Sequence, residues 1–195
     1  MTPVRVVLAS ASPRRRELLT LIGIQHEVRP ADVNEDIHDG EAPAVYAERL
    51  AREKASTTQA DDDTVTIGSD TIVVIDDVVL GKPRDRADAA RMLRTLSGRT
   101  HTVYTAVAVR RGDRLASAVE HVAVTFRALD DDTIASYIAT GEPMDKAGAY
   151  GIQGFGATIV QRIDGDYFAV MGLALGTMVE LMARVGVRYD FGRLA

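Results

Sequence analysis

An apolar run, Val4, Val6, Val7 and Leu8, breaks off at Ala9-Ser10-Ala11-Ser12-Pro13, and three arginines and Glu17-Leu18-Leu19 follow. The run reads as a buried strand that feeds directly into a helix. Ser12 stands at the N-cap position and Pro13 at the first helical position, where a missing N–H costs nothing. A helix N-terminus offers unpaired N–H groups and partial positive charge, so it is a ready anion site. Arg14, Arg15 and Arg16 add cations where acids are usual. Something negative belongs at this turn.

Charge narrows what that anion is. The chain of 195 residues carries −5 overall. Residues 1–16 hold four arginines and no acid, so they contribute +4 and the remainder −9. A positive pocket in an acidic protein suits a small polyanion better than a nucleic-acid backbone, which asks for a broad basic face. Ten Phe plus Tyr and no Trp also argue against a base-stacking platform. The absence of cysteine removes disulfides and thiolate metal sites. No apolar run approaches the roughly 20 residues of a membrane span, and the N-terminus has no signal-peptide pattern, so the expected location is the cytoplasm.

Along the chain, Ala42–Thr57 has helical spacing, with Ala47, Leu50, Ala51 and Lys54 on one stripe. Asp61-Asp62-Asp63 reads as a solvated loop. Val65–Ile75, the turn Asp76-Asp77 and Val78-Val79-Leu80 form a hairpin. Arg86–Leu96 is helical and stops at Ser97-Gly98. Val103–Val109 and Val119–Phe126 form a second hairpin around Arg111-Gly112-Asp113. A helix over Asp130–Ala139 closes at Gly141, the glycine loop Gly148–Gly156 leads into a strand over Thr158–Ile163, and Leu173–Val185 is the last helix. Hairpins mixed with helical crossovers predict an α/β or α+β domain around a mixed sheet, rather than an all-parallel doubly wound one.

Asp70 is the odd residue of the first hairpin. It shares a strand face with Ile72 and Val74, and an acid among apolar neighbours costs several kcal/mol unless paired, hydrogen-bonded or bound to a cation. It is either a general base or metal ligand facing a cleft, or an Asp in a Gly-Ser bend before the strand. Lys54, on its apolar stripe, either complements that acid or snorkels to the surface. Lys82, in Gly81-Lys82-Pro83, follows the return strand of Asp70's hairpin and is expected near it. Glu35 sits in an acidic loop, where solvation is the ordinary state. Gly151, Gly154 and Gly156 permit close backbone approach to a ligand, but their order is the reverse of the dinucleotide fingerprint. Gln153 offers an amide that could read a base edge, and Asp145-Lys146 is an ion pair of small value. The four histidines lack metal-ligand spacing and receive no role. Together these residues suit phosphate-ester chemistry assisted by a divalent cation: Lys and Arg hold phosphates, while carboxylates hold metal or activate water.

Leu8-Ala9-Ser10-Ala11-Ser12-Pro13-Arg14-Arg15, Arg49–Ala55, Gly68-Ser69-Asp70-Thr71-Ile72-Val73, Gly81-Lys82-Pro83, Leu96–His101 and Asp145–Gly154 closely resemble the Maf family, in order, over Val4 to Leu175. The resemblance implies a mixed, twisted sheet flanked by helices, with two lobes and a cleft, in the manner of the inosine-triphosphate pyrophosphatases (Ham1). It implies one domain over residues 1–195. It implies hydrolysis of a nucleoside triphosphate to monophosphate and pyrophosphate with a divalent cation, Mg or Mn. By position, Asp70 resembles the proton acceptor. Ser10, Arg14, Arg15, Glu35, Lys54 and Lys82 fall where the family binds phosphate and metal, with Glu35 and Asp70 toward the metal. Arg14, Thr71 and Gln153 are similar to the branch acting on dTTP and UTP, whereas the 7-methyl-GTP branch shows Trp, Gln and Glu there. Ala174 departs from the family's usual proline and touches only the start of the last helix, and Arg16 is an extra cation without a role.

The rival readings are a 7-methyl-GTP pyrophosphatase, or a non-enzymatic regulator of septum formation that binds nucleotide or protein. The expected partner is a small nucleoside triphosphate, with neither nucleic acid nor membrane, and a homodimer is compatible with the sequence.

Overall fold

The computed structural model describes residues 4–57, 61 and 63–195. Strand β1 (Arg5–Leu8) runs into helix α1 (Pro13–Leu21), and β2 (Glu27–Val28) and α2 (Pro43–Thr57) follow. Then come β3 (Thr64–Ile75), β4 (Val78–Leu80), α3 (Arg86–Leu96), β5 (Thr100–Arg111), β6 (Arg114–Phe126) and α4 (Asp131–Ala139). Short 3-10 turns at Glu142–Asp145, Ala147–Ala149 and Gly154–Thr158 lead to β7 (Val160–Asp164), α5 (Tyr167–Met171), α6 (Leu175–Arg184), β8 (Tyr189–Asp190) and β9 (Arg193–Leu194).

The main sheet has seven strands in the order β2-β1-β3-β5-β6-β7, with β4 on β3. β1 pairs in parallel with β2 and β3, while β3–β4 and β6–β7 are antiparallel. The sheet is therefore mixed and helix-flanked, as the alternation of hairpins and crossovers predicts.

The chain packs as two compact units, and β3, β5 and β6 contribute residues to each. The first comprises residues 1–70, 105–120 and 172–195. Its core holds Leu8, Leu18, Leu19, Leu50, Ile67, Val107, Met178 and Leu181. Each fully buried side chain of this kind contributes about 1.5–3 kcal/mol of burial free energy. The second comprises residues 71–104 and 121–171, around Leu93, Leu96, Val103, Val124, Phe126, Ile134 and Ile159.

Several expectations change in detail. Ser12 holds the N-cap position of α1 but makes no side-chain cap bond; its own N–H donates to Ser10 Oγ at 3.2 Å. The bend proposed for Gly68-Ser69-Asp70 does not form, because all three residues are buried inside strand β3. The turn Asp76-Asp77 does form, with both residues at positive φ (50° and 60°), the twist that a two-residue hairpin requires. The strand expected from Thr158 starts at Val160, since Gly154–Thr158 coils into a 3-10 turn. The helix expected over Leu173–Val185 begins at Leu175, and α5 precedes it unforeseen. Gly172, at φ +117°, breaks the two helices apart. Of the acidic run, Asp61 and Asp63 are exposed, and Asp62 lies outside the described residues.

Candidate active site

The end of β1 is tied into the sheet by Ala9 N–H donating to Ile67 O at 2.8 Å. That fixes Ser10, whose Oγ accepts from Arg15 Nη1 at 2.9 Å, while Arg15 Nε donates to Gly172 O at 2.8 Å. Ser69 Oγ donates to the same Gly172 carbonyl at 2.9 Å. Arg15 is therefore a buried tie between the first turn of α1 and the segment before α6. Burial pushes its pKa down, with Asp70 and Glu35 opposing that shift and Arg14 adding to it. An arginine stays protonated under such a shift, so the first turn of α1 keeps its charge. Arg14 is half-buried and Arg16 exposed on that turn.

The central feature is a lysine between two carboxylates. Lys54 Nζ lies 2.7 Å from Asp70 Oδ1 and 2.7 Å from Glu35 Oε1. Both Lys54 and Asp70 are buried, at 7% and 8% exposure, so snorkelling is excluded and the acid has its partner. Glu35 keeps 60% of its side chain exposed, which leaves that end of the group open to solvent.

Gly68 explains how α2 delivers Lys54. Along β3, Gly68, Asp70, Ile72 and Val74 alternate onto one face. A Cβ on Gly68 would meet Ala51 O at 2.2 Å and Ala55 N at 2.6 Å. The helix backbone lies directly on that glycine, and Lys54 reaches the acid next along the face. The loop bearing Glu35 is held from α2. Tyr46 Oη donates to Glu35 O at 2.7 Å, and Arg49 bonds Asp36 O at 2.9 Å and grips Glu41 with two nitrogens, at 2.7 and 2.9 Å. Burial, with Asp70 and Glu35 nearby, pushes the Tyr46 hydroxyl up to about 12. Tyr46, Arg49, Ser69 and Gly172 escape the sequence reading, although Arg49 announces itself by its spacing from Glu53 at i+4.

In the second unit, half-buried Thr71 follows Asp70 along β3, and Lys82 is exposed two residues beyond the last paired residue of β4. Gly148 N–H donates to Gly81 O at 3.0 Å, tying the glycine loop to the Gly81-Lys82-Pro83 corner. Gln153 is exposed at the head of the Gly154–Thr158 turn. The structure thus brings Ser10 to Arg15, and Glu35 and Asp70 to Lys54. Thr71, Lys82 and Gln153 belong to the second unit.

Glu35 and Asp70 could hold a hard divalent cation, for which carboxylate oxygens are ligands of choice, with Lys54 Nζ standing 2.7 Å from one oxygen of each. Among the described residues no three or more His, Cys, Asp or Glu gather to form a closed cage.

The family model for Maf-like protein matches residues 5–185. A dTTP/UTP pyrophosphatase from Moorella thermoacetica is 53% identical over 186 residues, covering 94% of this chain and 96% of the relative. One from Aquifex aeolicus is 45% identical over 185 residues, covering 94% and 97%. Among solved structures, a HAM1 protein from Coxiella burnetii aligns with a TM-score of 0.48 and 15% identity, covering 80% of each chain. With the match beginning at the first residue of β1 and ending just past α6, so that it takes in every residue from Ser10 to Gln153 discussed above, the chain belongs to the Maf family.

Proposed function

We propose that this chain hydrolyses dTTP and UTP to the nucleoside monophosphate and pyrophosphate, with residues 1–195 acting as one functional domain in the cytoplasm. The observation that carries the reading is the buried Lys54–Asp70 pair with Glu35 at its solvent side, in a chain 45–53% identical to relatives bearing that activity in their names. No described helix is long and apolar enough to cross a membrane.

The chemistry follows from the side chains. Arg14 and the first turn of α1 take the phosphates, and Arg15 holds Ser10 in place for them. Asp70 accepts the proton of the water that attacks the α-phosphorus, with pyrophosphate leaving opposite. Lys54, 2.7 Å from Asp70 Oδ1, orients that carboxylate, and Lys82 balances charge on the leaving pyrophosphate. Glu35 and Asp70 would hold a divalent cation, which when bound supplies further neutralisation of the phosphates. Arg14, Thr71 and Gln153 select the pyrimidine.

A nucleotide panel with the purified protein and Mg²⁺ or Mn²⁺ tests this. dTTP and UTP are expected to turn over at least about tenfold faster than purine triphosphates and 7-methyl-GTP, a gap of the size a base-reading contact supplies. Asp70→Asn is expected to lower kcat by roughly a thousandfold with nucleotide binding retained, in line with loss of a general base. Binding without turnover of any nucleotide would instead select the regulator reading.

A further inference from the structure

The loop that carries Gln153 is folded around a carboxylate. Glu142 Oε1 accepts from Tyr137 Oη at 2.8 Å and from Gly156 N–H at 2.9 Å, and Oε2 accepts from Phe155 N–H at 2.8 Å. Tyr137 Oη in turn accepts from Gly151 N–H at 3.1 Å. Backbone amides on both sides of Gln153 therefore lead to the same Glu142–Tyr137 pair. Lys146 closes the base of the arrangement, donating to Glu142 O at 2.6 Å.

The fit leaves no room for side chains. A Cβ on Gly154, already at φ +65°, would stand 2.4 Å from Glu142 Oε2. One on Gly156 would stand 2.1 Å from Gly151 O and 2.6 Å from Tyr137 Oη. These glycines are shaped by an internal anion, where sequence alone suggested a passing ligand. Burial works against the charge on Glu142, but the Gly156, Phe155 and Tyr137 donors outweigh it and hold its pKa below the ordinary value.

Gln153 stands at the cap position of the 3-10 turn, with extended backbone and no side-chain cap bond. A cap residue ordinarily spends its side chain on the first free N–H groups of the turn. Here Glu142 supplies that acceptor from elsewhere in the chain, and the Gln153 side chain projects from a fixed backbone into solvent. In one flip the Gln153 amide donates to a 4-carbonyl and accepts from N3–H, as thymine and uracil offer, whereas cytosine asks for the opposite flip, so discrimination depends on the loop holding the amide in one orientation.

We propose that Glu142, backed by Tyr137, is a positioning residue for base selection: a resident carboxylate that fixes the Gly151–Gly156 loop and so aims the Gln153 amide at a 4-carbonyl pyrimidine. The proposal rests on the reading that Gln153 contacts the base.

The test measures kcat and KM for dTTP and dCTP in the wild type, Gln153→Ala, Glu142→Gln, the corresponding double variant and Tyr137→Phe, with a thermal melt of each. Glu142→Gln keeps the shape but turns an N–H toward backbone donors. It is expected to raise KM for dTTP about tenfold with kcat within about threefold, and to pull the dTTP/dCTP ratio of kcat/KM toward that of Gln153→Ala. The double variant is expected to fall no further than Gln153→Ala, since the two residues act as one unit. Tyr137→Phe, which keeps the carboxylate, is expected to shift the ratio in the same direction by a smaller factor and serves as the deciding variant if Glu142→Gln does not fold. A wild-type ratio in Glu142→Gln or Tyr137→Phe, alongside a reduced ratio in Gln153→Ala, overturns the positioning role alone. A wild-type ratio in Gln153→Ala removes the base contact and the proposal together. A fall in kcat that is equal for both nucleotides and tracks a lower melting temperature marks Glu142 as purely structural.

Discussion

Lys54 meets Asp70 and Glu35 at the same distance, 2.7 Å, but the two contacts differ in worth. The Glu35 carboxylate is 60% exposed, so water screens that pair and Glu35→Gln is expected to change stability by less than about 1 kcal/mol. Asp70 is buried with Lys54, and removing the lysine alone strands a charge. Lys54→Met is expected to cost roughly 3–5 kcal/mol in urea unfolding, and the double variant with Asp70→Asn to recover a large part of that stability but no activity. Equal unfolding midpoints for wild type and Lys54→Met would contradict the pairing. The sequence placed Lys54 on the correct helix stripe, because i, i+3, i+4 and i+7 spacing is local information. It did not distinguish a paired lysine from a snorkelling one, because the partner lies on a strand sixteen residues away. Ser12 repeats the lesson on a smaller scale. The cap position was legible, but which serine spends its oxygen depends on Arg15 and on the anchoring of Ser10.

Between elements, the decisive contact is backbone on side-chain-free backbone, at Gly68. A strand glycine is weak by propensity and useful where another chain segment must come close. Here that segment is α2, and the site depends on its approach. Gly68→Ala would force the helix off Ala51 O and Ala55 N, and is expected to destabilise by about 3 kcal/mol or more by overpacking, with activity falling in the fraction that remains folded. A melting temperature within a degree or so of wild type would show that α2 yields without cost, given the usual several degrees per kcal/mol. The β3–β4 hairpin, α3 and its stop at Ser97-Gly98 were legible because each rests on local chemistry: turn residues, helical spacing and a glycine stop. The glycine loop was not. Its glycines signalled close approach, but what approaches them is Glu142, a residue without a local motif, and only tertiary folding sets it there.

At the scale of the whole molecule, the mixed helix-flanked sheet and the family were legible end to end, because collinear segments from Val4 to Leu175 accumulate information that no single motif has. The two compact units correspond to what chain length allowed and the resemblance implied only as lobes of one domain. His101 was given no role, and the structure shows why it has one in stability. It is 2% exposed, packed edge-on against Phe126 and Tyr150, with Nε2 2.8 Å from Tyr150 Oη and Nδ1 buried without a hydrogen-bond partner among the described residues. Burial pushes its pKa from 6.5 down to about 4. The unfolded chain therefore binds the extra proton first as pH falls from 6.5 to 4, so stability drops through that window and His101 adds no further loss below it. The loss is on the order of 3 kcal/mol at most. From about pH 4.5 downward lowered carboxylates add to the loss, among them Glu41 and Asp88, each held at about 2 by hydrogen bonds from Arg49 and Arg91 respectively. Urea unfolding of the wild type is expected to weaken between pH 6.5 and 4, and His101→Gln to flatten that slope. A slope unchanged in the variant would assign the pH dependence elsewhere.

In the proposed reaction a water activated at Asp70 attacks the α-phosphorus of a pyrimidine triphosphate. Turnover of dTTP in heavy-oxygen-labelled water, read by mass spectrometry of the products, tests it most directly. One labelled oxygen is expected in dTMP and none in pyrophosphate. Label in the pyrophosphate, or release of dTDP with labelled orthophosphate, would contradict it.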